Sequence, residues 1–301
     1  MKIILLGKNG QVGWELQRSL GPLGQVIAHD RSTADLEQSD SLRKLVRDVE
    51  PDFLVNAAAY TAVDRAESEP ERAARVNTEA VAVLAEEMQR NGGWFVHYST
   101  DYVFDGAKSA PYIESDIPAP LSVYGKTKLA GERAILASGC RHLIFRTSWV
   151  YSARGSNFPK TMLHLAQTRD EIKVVGDQFG APTGADLIAD VTALALHRLQ
   201  IDSRLARNAS GVYHLAAAGS TSRHAYAKVV IGSVKAGGVS LRTQPEHVLP
   251  IPLSEYSTFA PRPSNSQLDC SRLCTTFGLT MPSWERGVQR LVAQLNESVK
   301  P

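Results

Sequence analysis

The chain lacks most of what would mark a secreted, membrane or nucleic-acid-binding protein. Its three cysteines, Cys140, Cys270 and Cys274, are too few for a disulfide framework, and the expectation is free thiols in a reducing cytoplasm. Thirty-three basic side chains stand against 31 acidic ones, so no strong field favours nucleic acid or an anionic membrane. No apolar run approaches the length of a membrane span. With a strand-like run beginning at Lys2, no secretory signal is expected. The eight histidines form no H-x-x-x-H pair and have no cysteine-rich partner, which argues against a catalytic zinc. Without a G-x-S-x-G turn, a hydrolase of the α/β type has no nucleophile. What remains is a globular cytoplasmic composition, 43% hydrophobic over 301 residues, enough for one large domain or two unequal ones.

Against these absences stands a glycine cluster close to the start. The run Lys2-Ile3-Ile4-Leu5-Leu6 leads into Gly7, Gly10 and Gly13, and Trp14-Glu15-Leu16-Gln17 then suits a helix. The order reads as buried strand, tight turn and helix N-terminus. Such a turn lets backbone N–H groups and the positive end of a helix meet a pyrophosphate. Glycines remove the side chains that would hold the phosphates away. The chain is therefore expected to begin by binding a dinucleotide.

Further strands are predicted at Val26–Asp30, Asp52–Ala57, Trp94–Tyr98 and His142–Arg146, with helices between them at Ser41–Val49, Glu71–Asn91 and Val123 to about Ala137. Short strands rich in β-branched and aromatic residues, alternating with helices, imply a Rossmann-type, doubly wound parallel α/β sheet. After about residue 150 the pattern changes. Helices are predicted over Asn157–Thr168, Ala185–Leu199, Ser222–Lys235 (a polar one) and Ser283–Glu297, with strand-like runs at Lys173–Val175 and Val212–Leu215. Prolines at 245, 250, 252, 261 and 263 suggest extended surface segments. Residues 1–150 therefore read as a dinucleotide-binding domain, to which parts of 185–215 return. Residues 151–301 read mainly as a smaller α+β substrate lobe, with a cleft between the two at the strand ends.

Asp30 closes the second strand, where a carboxylate can hydrogen-bond adenosine ribose hydroxyls. Arg31 follows and can hold a 2′-phosphate, so the pair permits both NAD and NADP. Small residues end the third strand at Asn56-Ala57-Ala58-Ala59-Tyr60, where a flat ligand can approach closely. Ser99-Thr100-Asp101 ends the fourth. Tyr124 and Lys128 then open a helix four residues apart, on one face. Ketone reduction needs this set. Hydride reaches the carbonyl carbon and the oxygen takes a proton. A phenol of pKa about 10 is expected to need a nearby cation to act at neutral pH. Lys128 can supply that charge, and Thr100 can donate a hydrogen bond to the carbonyl oxygen. Among the remaining residues, Trp14 and Trp284 read as packing residues and His97 as a satisfied core histidine.

This order resembles the extended short-chain dehydrogenase/reductase superfamily. Asn56–Glu67, Ser99–Gly106, Tyr124–Glu132, Arg146–Tyr151, Gly180–Thr183 and Arg262-Pro263 with Ser266, Leu268 and Asp269 are similar to the dTDP-4-dehydrorhamnose reductase family. The resemblance covers nearly the whole chain. It implies Tyr124 as proton donor, Lys128 as its cationic partner and ribose ligand, and Thr100 as the carbonyl-polarising hydroxyl. Gly7, Gly10, Gln11, Val12 and Gly13 would line the pyrophosphate. Asp30 and Arg31 would meet the adenosine ribose, with Asp35 and Leu36 near the adenine. Ala57, Ala58 and Tyr60 would line the cofactor channel. Thr100, Asp101 and Trp149 would contact a deoxysugar, and Arg262 the nucleotide diphosphate.

The implied activity is NAD(P)H-dependent reduction of a nucleotide-linked 4-keto sugar, in the last step that supplies an activated sugar for cell-surface polysaccharide such as O-antigen. A nucleotide-sugar epimerase, a reductase for another 4-keto sugar, or a non-catalytic NADP-binding regulatory subunit would share much of this frame. The Thr100, Tyr124 and Lys128 set favours an enzyme over the last. The resemblance also implies a homodimer with Mg²⁺ held by interface carboxylates, at Glu15 and Asp186. The third position offers Gln294, a weaker ligand for a hard cation than a carboxylate, so the expectation is two surface acids.

Overall fold

The structure, a computed structural model, describes residues 1–297. Its centre is a six-stranded parallel sheet made of β1 (Lys2–Leu6), β2 (Gln25–His29), β3 (Phe53–Asn56), β4 (Trp94–Thr100), β5 (Arg141–Thr147) and β6 (Gly211–His214). The spatial order is β6-β5-β4-β3-β1-β2, with every pair parallel. From β1 the chain moves outward to β2, then returns to the other side of β1 as β3. This reversal opens a crevice at the carboxyl ends of β1 and β3, the usual ligand position in such sheets.

Both faces of the sheet are covered, which is why its strands are nearly continuous apolar runs. On one face Ile3, Leu5, Phe53, Val55, Val96, Leu143 and Phe145 pack with Leu16 and Leu20 of helix α1 (Gln11–Leu20). A later helix packs on the same side (Ala185–Ile201), through Ile188, Val191 and Leu196. On the other face Ile4, Leu6, Leu54, Phe95 and Ile144 meet Leu42 and Val46 of α2 (Ser39–Val49) and Val81, Leu84 and Met88 of α3 (Ala80–Asn91). Each buried Leu, Ile, Val or Phe contributes about 1.5–3 kcal/mol. Helix α4 (Val123–Ser138) connects β4 to β5.

The predicted helix over Glu71–Asn91 changes pitch along its length. An α-helical turn, Pro70–Ala74, passes through a π-helical segment, Arg75–Glu79, before α3 begins. That wider segment buries Asn77. Its Oδ1 accepts the Tyr60 N–H (2.9 Å), and its amide donates to the Tyr60 carbonyl (3.1 Å) and to Thr127 Oγ1 (3.2 Å). A π-bulge here fixes the end of β3 against α4 beside the crevice.

Beyond β5 three short strand pairs build the rest: Val150–Tyr151 with Thr183–Gly184, Ile172–Val175 with Val248–Ile251, and Phe179–Gly180 with Thr221–Ser222. Helix Arg223–Ala236 is not polar throughout as predicted. It buries Tyr226, Ala227, Val230, Ile231 and Val234 on one side, while Lys228 and Lys235 are exposed. The proline-rich stretch is largely extended and at the surface, as expected: Pro250 is exposed within a paired strand, Pro252 and Pro261 are exposed, and of the five prolines Pro263 alone is buried, against Gly106. Trp14 is not a packing residue. It stays 47% exposed, with the Arg154 guanidinium 4.1 Å from its ring centre. Trp284 is buried against Tyr226. Three short helices had no expectation in the sequence: Val63–Ala66, Ser203–Asn208 and Ser271–Phe277. Among the described residues, no helix is long and apolar enough to cross a membrane.

Candidate active site

A cavity of about 720 Å³ runs along the carboxyl ends of β1 to β5. One end is made mostly of backbone. Gly7 adopts φ +85°, the left-handed region, and its N–H donates to the His29 carbonyl (2.9 Å). A Cβ on Gly7 would sit 2.7 Å from the Ala58 nitrogen, so glycine lets the β1 and β3 ends close on each other. Gly13 lies behind the cavity wall, where a Cβ would come within 2.0 Å of the Gly7 carbonyl oxygen. Gly10 caps α1 without a side-chain hydrogen bond, which leaves the first N–H groups of that helix turned to the cavity. Gly10, Gln11 and Val12 line it. The glycines thus let the β1 turn close tightly on its neighbours, and the cradle it forms carries backbone donors suited to a pyrophosphate.

Asp30 follows β2. Its carboxylate accepts from Ser32 Oγ (2.6 Å), the Ser32 N–H (3.0 Å) and Asn9 Nδ2 (3.1 Å), and Lys8 Nζ stands 3.3 Å away. These donors, Ser32 foremost, hold its pKa far below the usual carboxylate range. Arg31 pairs with Glu37 (2.7 Å) and Asp35 (3.3 Å), and Arg72 reaches the same Glu37 (3.2 Å). Leu36, Ala57, Ala58 and Tyr60 complete this end. Glu37 and Arg72 had escaped the sequence reading. Arg72 reaches the site from a separate helical turn, and nothing in its local sequence marks it.

The other end is made of side chains. Thr100 finishes β4, where its hydroxyl donates to Asp101 Oδ1 (3.0 Å) and accepts the Tyr102 N–H (3.1 Å). Helix α4 starts on Ser122, whose hydroxyl accepts the Gly125 N–H (3.1 Å). Gly125 lets the helix press against the Tyr102 carbonyl, 2.2 Å from where a Cβ would be. Tyr124 and Lys128 thereby face the end of β4. Lys128 is fully buried. Its ammonium donates to the Tyr98 carbonyl (2.7 Å) and lies 3.0 Å from His97 Nε2.

Burial pushes the Lys128 pKa down to about 8, against the pull of Glu132. His97, as expected of a core histidine, is buried with a partner on each ring nitrogen, Lys128 on one side and Asn56 (3.3 Å) on the other. Burial and the adjacent lysine drive its pKa well down.

The expected lowering of the Tyr124 phenol is not what the structure gives. Burial raises the Tyr124 pKa, and the Thr100 hydroxyl opposes this only in part. The Lys128 charge is spent on Tyr98 and His97 instead. A raised pKa keeps Tyr124 a neutral phenol, the form that can give up a proton. Burial likewise pushes the Asp101 carboxyl up to about 6, and its Oδ2 has no hydrogen-bond partner among the described residues.

Trp149 stands just past β5 at φ +48°, an uncommon backbone state for a bulky residue that costs about 1–3 kcal/mol. Gly180 makes room for its indole, with 2.6 Å from a would-be Cβ to the ring. Above that ring, at 3.7 Å, lies the Arg223 guanidinium, a cavity residue the sequence reading missed. Arg262 does not line the cavity. It sits behind Tyr102, paired with Asp64 at 2.8 Å.

Glu15 and Asp186 line a separate cavity of about 210 Å³, with Arg18, Arg290 and Gln294. Both acids have arginine neighbours, Glu15–Arg18 at 3.5 Å and Asp186–Arg290 at 3.7 Å. Among the described residues no group of three His, Cys, Asp or Glu side chains could hold a metal ion.

A glycine turn and an acidic strand end at one extremity of the cavity, with Thr, Tyr and Lys at the other, define an oxidoreductase of the extended short-chain dehydrogenase/reductase class. The sequence matches the RmlD substrate binding domain family over residues 1–297, and the chain belongs to that family. It is 50% identical over 295 residues to a dTDP-4-dehydrorhamnose reductase of Burkholderia thailandensis, covering 98% of this chain and 99% of the relative. It is 47% identical over 302 residues to one of Escherichia coli, with 98% of each chain covered. The crystal structure of a dTDP-4-dehydrorhamnose reductase from Bacillus anthracis in complex with NADP superposes with a TM-score of 0.86. That protein is 33% identical, with 97% of this chain and 99% of the other covered.

Proposed function

We propose that the protein reduces the C4 ketone of dTDP-4-dehydro-β-L-rhamnose to give dTDP-β-L-rhamnose, the final step in making this activated sugar. The observation that carries the reading is the convergence of Thr100, Tyr124 and Lys128 at one end of a cavity whose other end is a glycine-turn cradle of backbone donors. The cradle and the Asp30–Arg31 pair fit a dinucleotide, with NADPH as the cofactor and NADH as an alternative donor. When bound, its nicotinamide supplies the hydride. Tyr124 gives its phenolic proton to the oxygen that becomes an alkoxide. Thr100 turns its hydroxyl to the same oxygen. Lys128 fixes the nicotinamide ribose, and Asp101 and Trp149 orient the deoxysugar. Residues 1–150 with the returning 185–215 then form the dinucleotide-binding part, and the remainder of 151–301 mainly serves the substrate.

The test is loss of NADPH near-UV absorbance when dTDP-4-dehydrorhamnose is added, with NADH in parallel. Stoichiometric oxidation is expected. No oxidation by a preparation that binds NADPH would contradict the reading.

A further inference from the structure

We infer that Arg223, rather than Arg262, is the guanidinium that receives the diphosphate of the nucleotide-sugar substrate; the inference rests on the activity proposed above. Four cations line the main cavity: Arg31, Arg72, Lys128 and Arg223. Arg31 and Arg72 are both paired with Glu37, at the cradle end. Lys128 is buried against Tyr98 and His97. Among the described residues Arg223 has no carboxylate within ion-pair distance. Its one side-chain hydrogen bond goes from Nε to Gln178 Oε1 (3.4 Å).

The guanidinium is held flat. It lies on the Trp149 indole at 3.7 Å and 5.1 Å from the Phe158 ring centre. Gln178 is itself fixed by donating to the Pro263 carbonyl (2.9 Å) and accepting the Arg223 N–H on its own carbonyl (3.1 Å). With Nε anchored and the plane set by stacking, the two terminal nitrogens remain for a ligand. The buried Asp101 carboxyl acts on this charge from beyond ion-pair distance, and a preset planar fork with no carboxylate in contact suits a phosphate. The Arg262 charge, by contrast, is already met by Asp64.

The cofactor's pyrophosphate has its own donors in the N–H groups at the α1 N-terminus. An anion at Arg223 is therefore a second one, carried by the molecule that Tyr124 protonates. A nucleoside diphosphate joined to the reacting sugar supplies it.

The experiment compares dTDP and thymidine binding by titration calorimetry in the wild type, Arg223→Gln and Arg223→Lys, with NADPH binding measured alongside. Loss of a charge-assisted contact to phosphate is expected to weaken dTDP roughly 10- to 100-fold in Arg223→Gln. Arg223→Lys should fall between, and thymidine and NADPH should bind as in the wild type. Unchanged dTDP affinity in Arg223→Gln, or equal weakening of dTDP and thymidine, overturns the inference. In the wild type, where folding is not at issue, dTDP should protect Arg223 from phenylglyoxal and thymidine should not. Labelling of Arg223 that dTDP leaves unchanged also overturns it. A wild type that binds dTDP while Arg223 proves indifferent removes this inference alone. A wild type that binds no dTDP removes the proposed substrate as well.

Discussion

The two ends of the cavity are built by different means. At the cradle, contacts come from backbone and from turns that directly follow strands: Gly7 to Val12 after β1, Asp30 after β2, Ala57 and Ala58 after β3. At the reaction end, side chains arrive from Thr100, Tyr124, Trp149 and Arg223, on four separate segments. The glycine turn asks only that no Cβ intrude and Asp30 directly follows its strand, both of which a short sequence motif can state. The reaction end asks for particular functional groups at particular angles, which only the assembled fold provides. One end should therefore fail through sterics and the other through chemistry, and substitutions can separate the two.

The sharpest separation should come from Tyr124→Phe. Removing one hydroxyl is expected to reduce turnover by about 10²- to 10⁴-fold. NADPH affinity, measured by fluorescence titration, should stay near that of the wild type. Full activity in Tyr124→Phe would break the division, because the reaction end would then need no proton donor.

The converse substitution is Gly7→Ala. At φ +85°, with a Cβ 2.7 Å from the Ala58 nitrogen, it should cost about 1–3 kcal/mol of stability by thermal melting and weaken NADPH. Binding of dTDP should change little. Weakening of dTDP as strong as that of NADPH would show that the two ends are not separable.

A smaller effect lies in pH dependence. Lys128 titrates near 8 because burial disfavours its charge. The ammonium is present below that pH and lost above it, so kcat/KM should decline through about pH 8. In Lys128→Met the wild-type limb at that pH should vanish, together with part of both the rate and the NADPH affinity. A limb at the same pH in Lys128→Met would assign it to another group.

The mildest change concerns Arg31, whose side chain is exposed and shared between Asp35 and Glu37. Arg31→Ala should weaken NADPH a few-fold more than NADH, the scale of one solvent-screened phosphate contact. Equal weakening of both would place Arg31 away from the 2′-phosphate.

The same contrast explains what the sequence disclosed. Strands β1 to β5 were legible within a residue or two, because parallel strands buried on both faces leave unbroken apolar runs. Gly7, Gly10 and Asp30 were legible because the turn that places them is local. Tyr124 and Lys128 were legible as a spacing, yet their electrostatics were not. That Lys128 would turn to His97 and Tyr98, leaving burial to raise the Tyr124 pKa, depends on how β4 and α4 pack. Arg223 and Arg72 carry no local signature at all. Trp14 looked like a core residue because indoles usually are, and the structure instead leaves it under Arg154 at the surface. The helix Arg223–Ala236 looked polar until its Tyr226, Val230 and Val234 were seen to share a buried side.

The most direct test of the whole account is to follow the hydride. NADPH carrying deuterium at the transferable C4 position would be incubated with dTDP-4-dehydrorhamnose, and the sugar product analysed by NMR and mass spectrometry. The expected result is one deuterium at sugar C4 of dTDP-rhamnose, formed one for one with oxidised cofactor. Product without label at C4, or label that stays with the cofactor while the sugar changes configuration, would contradict it.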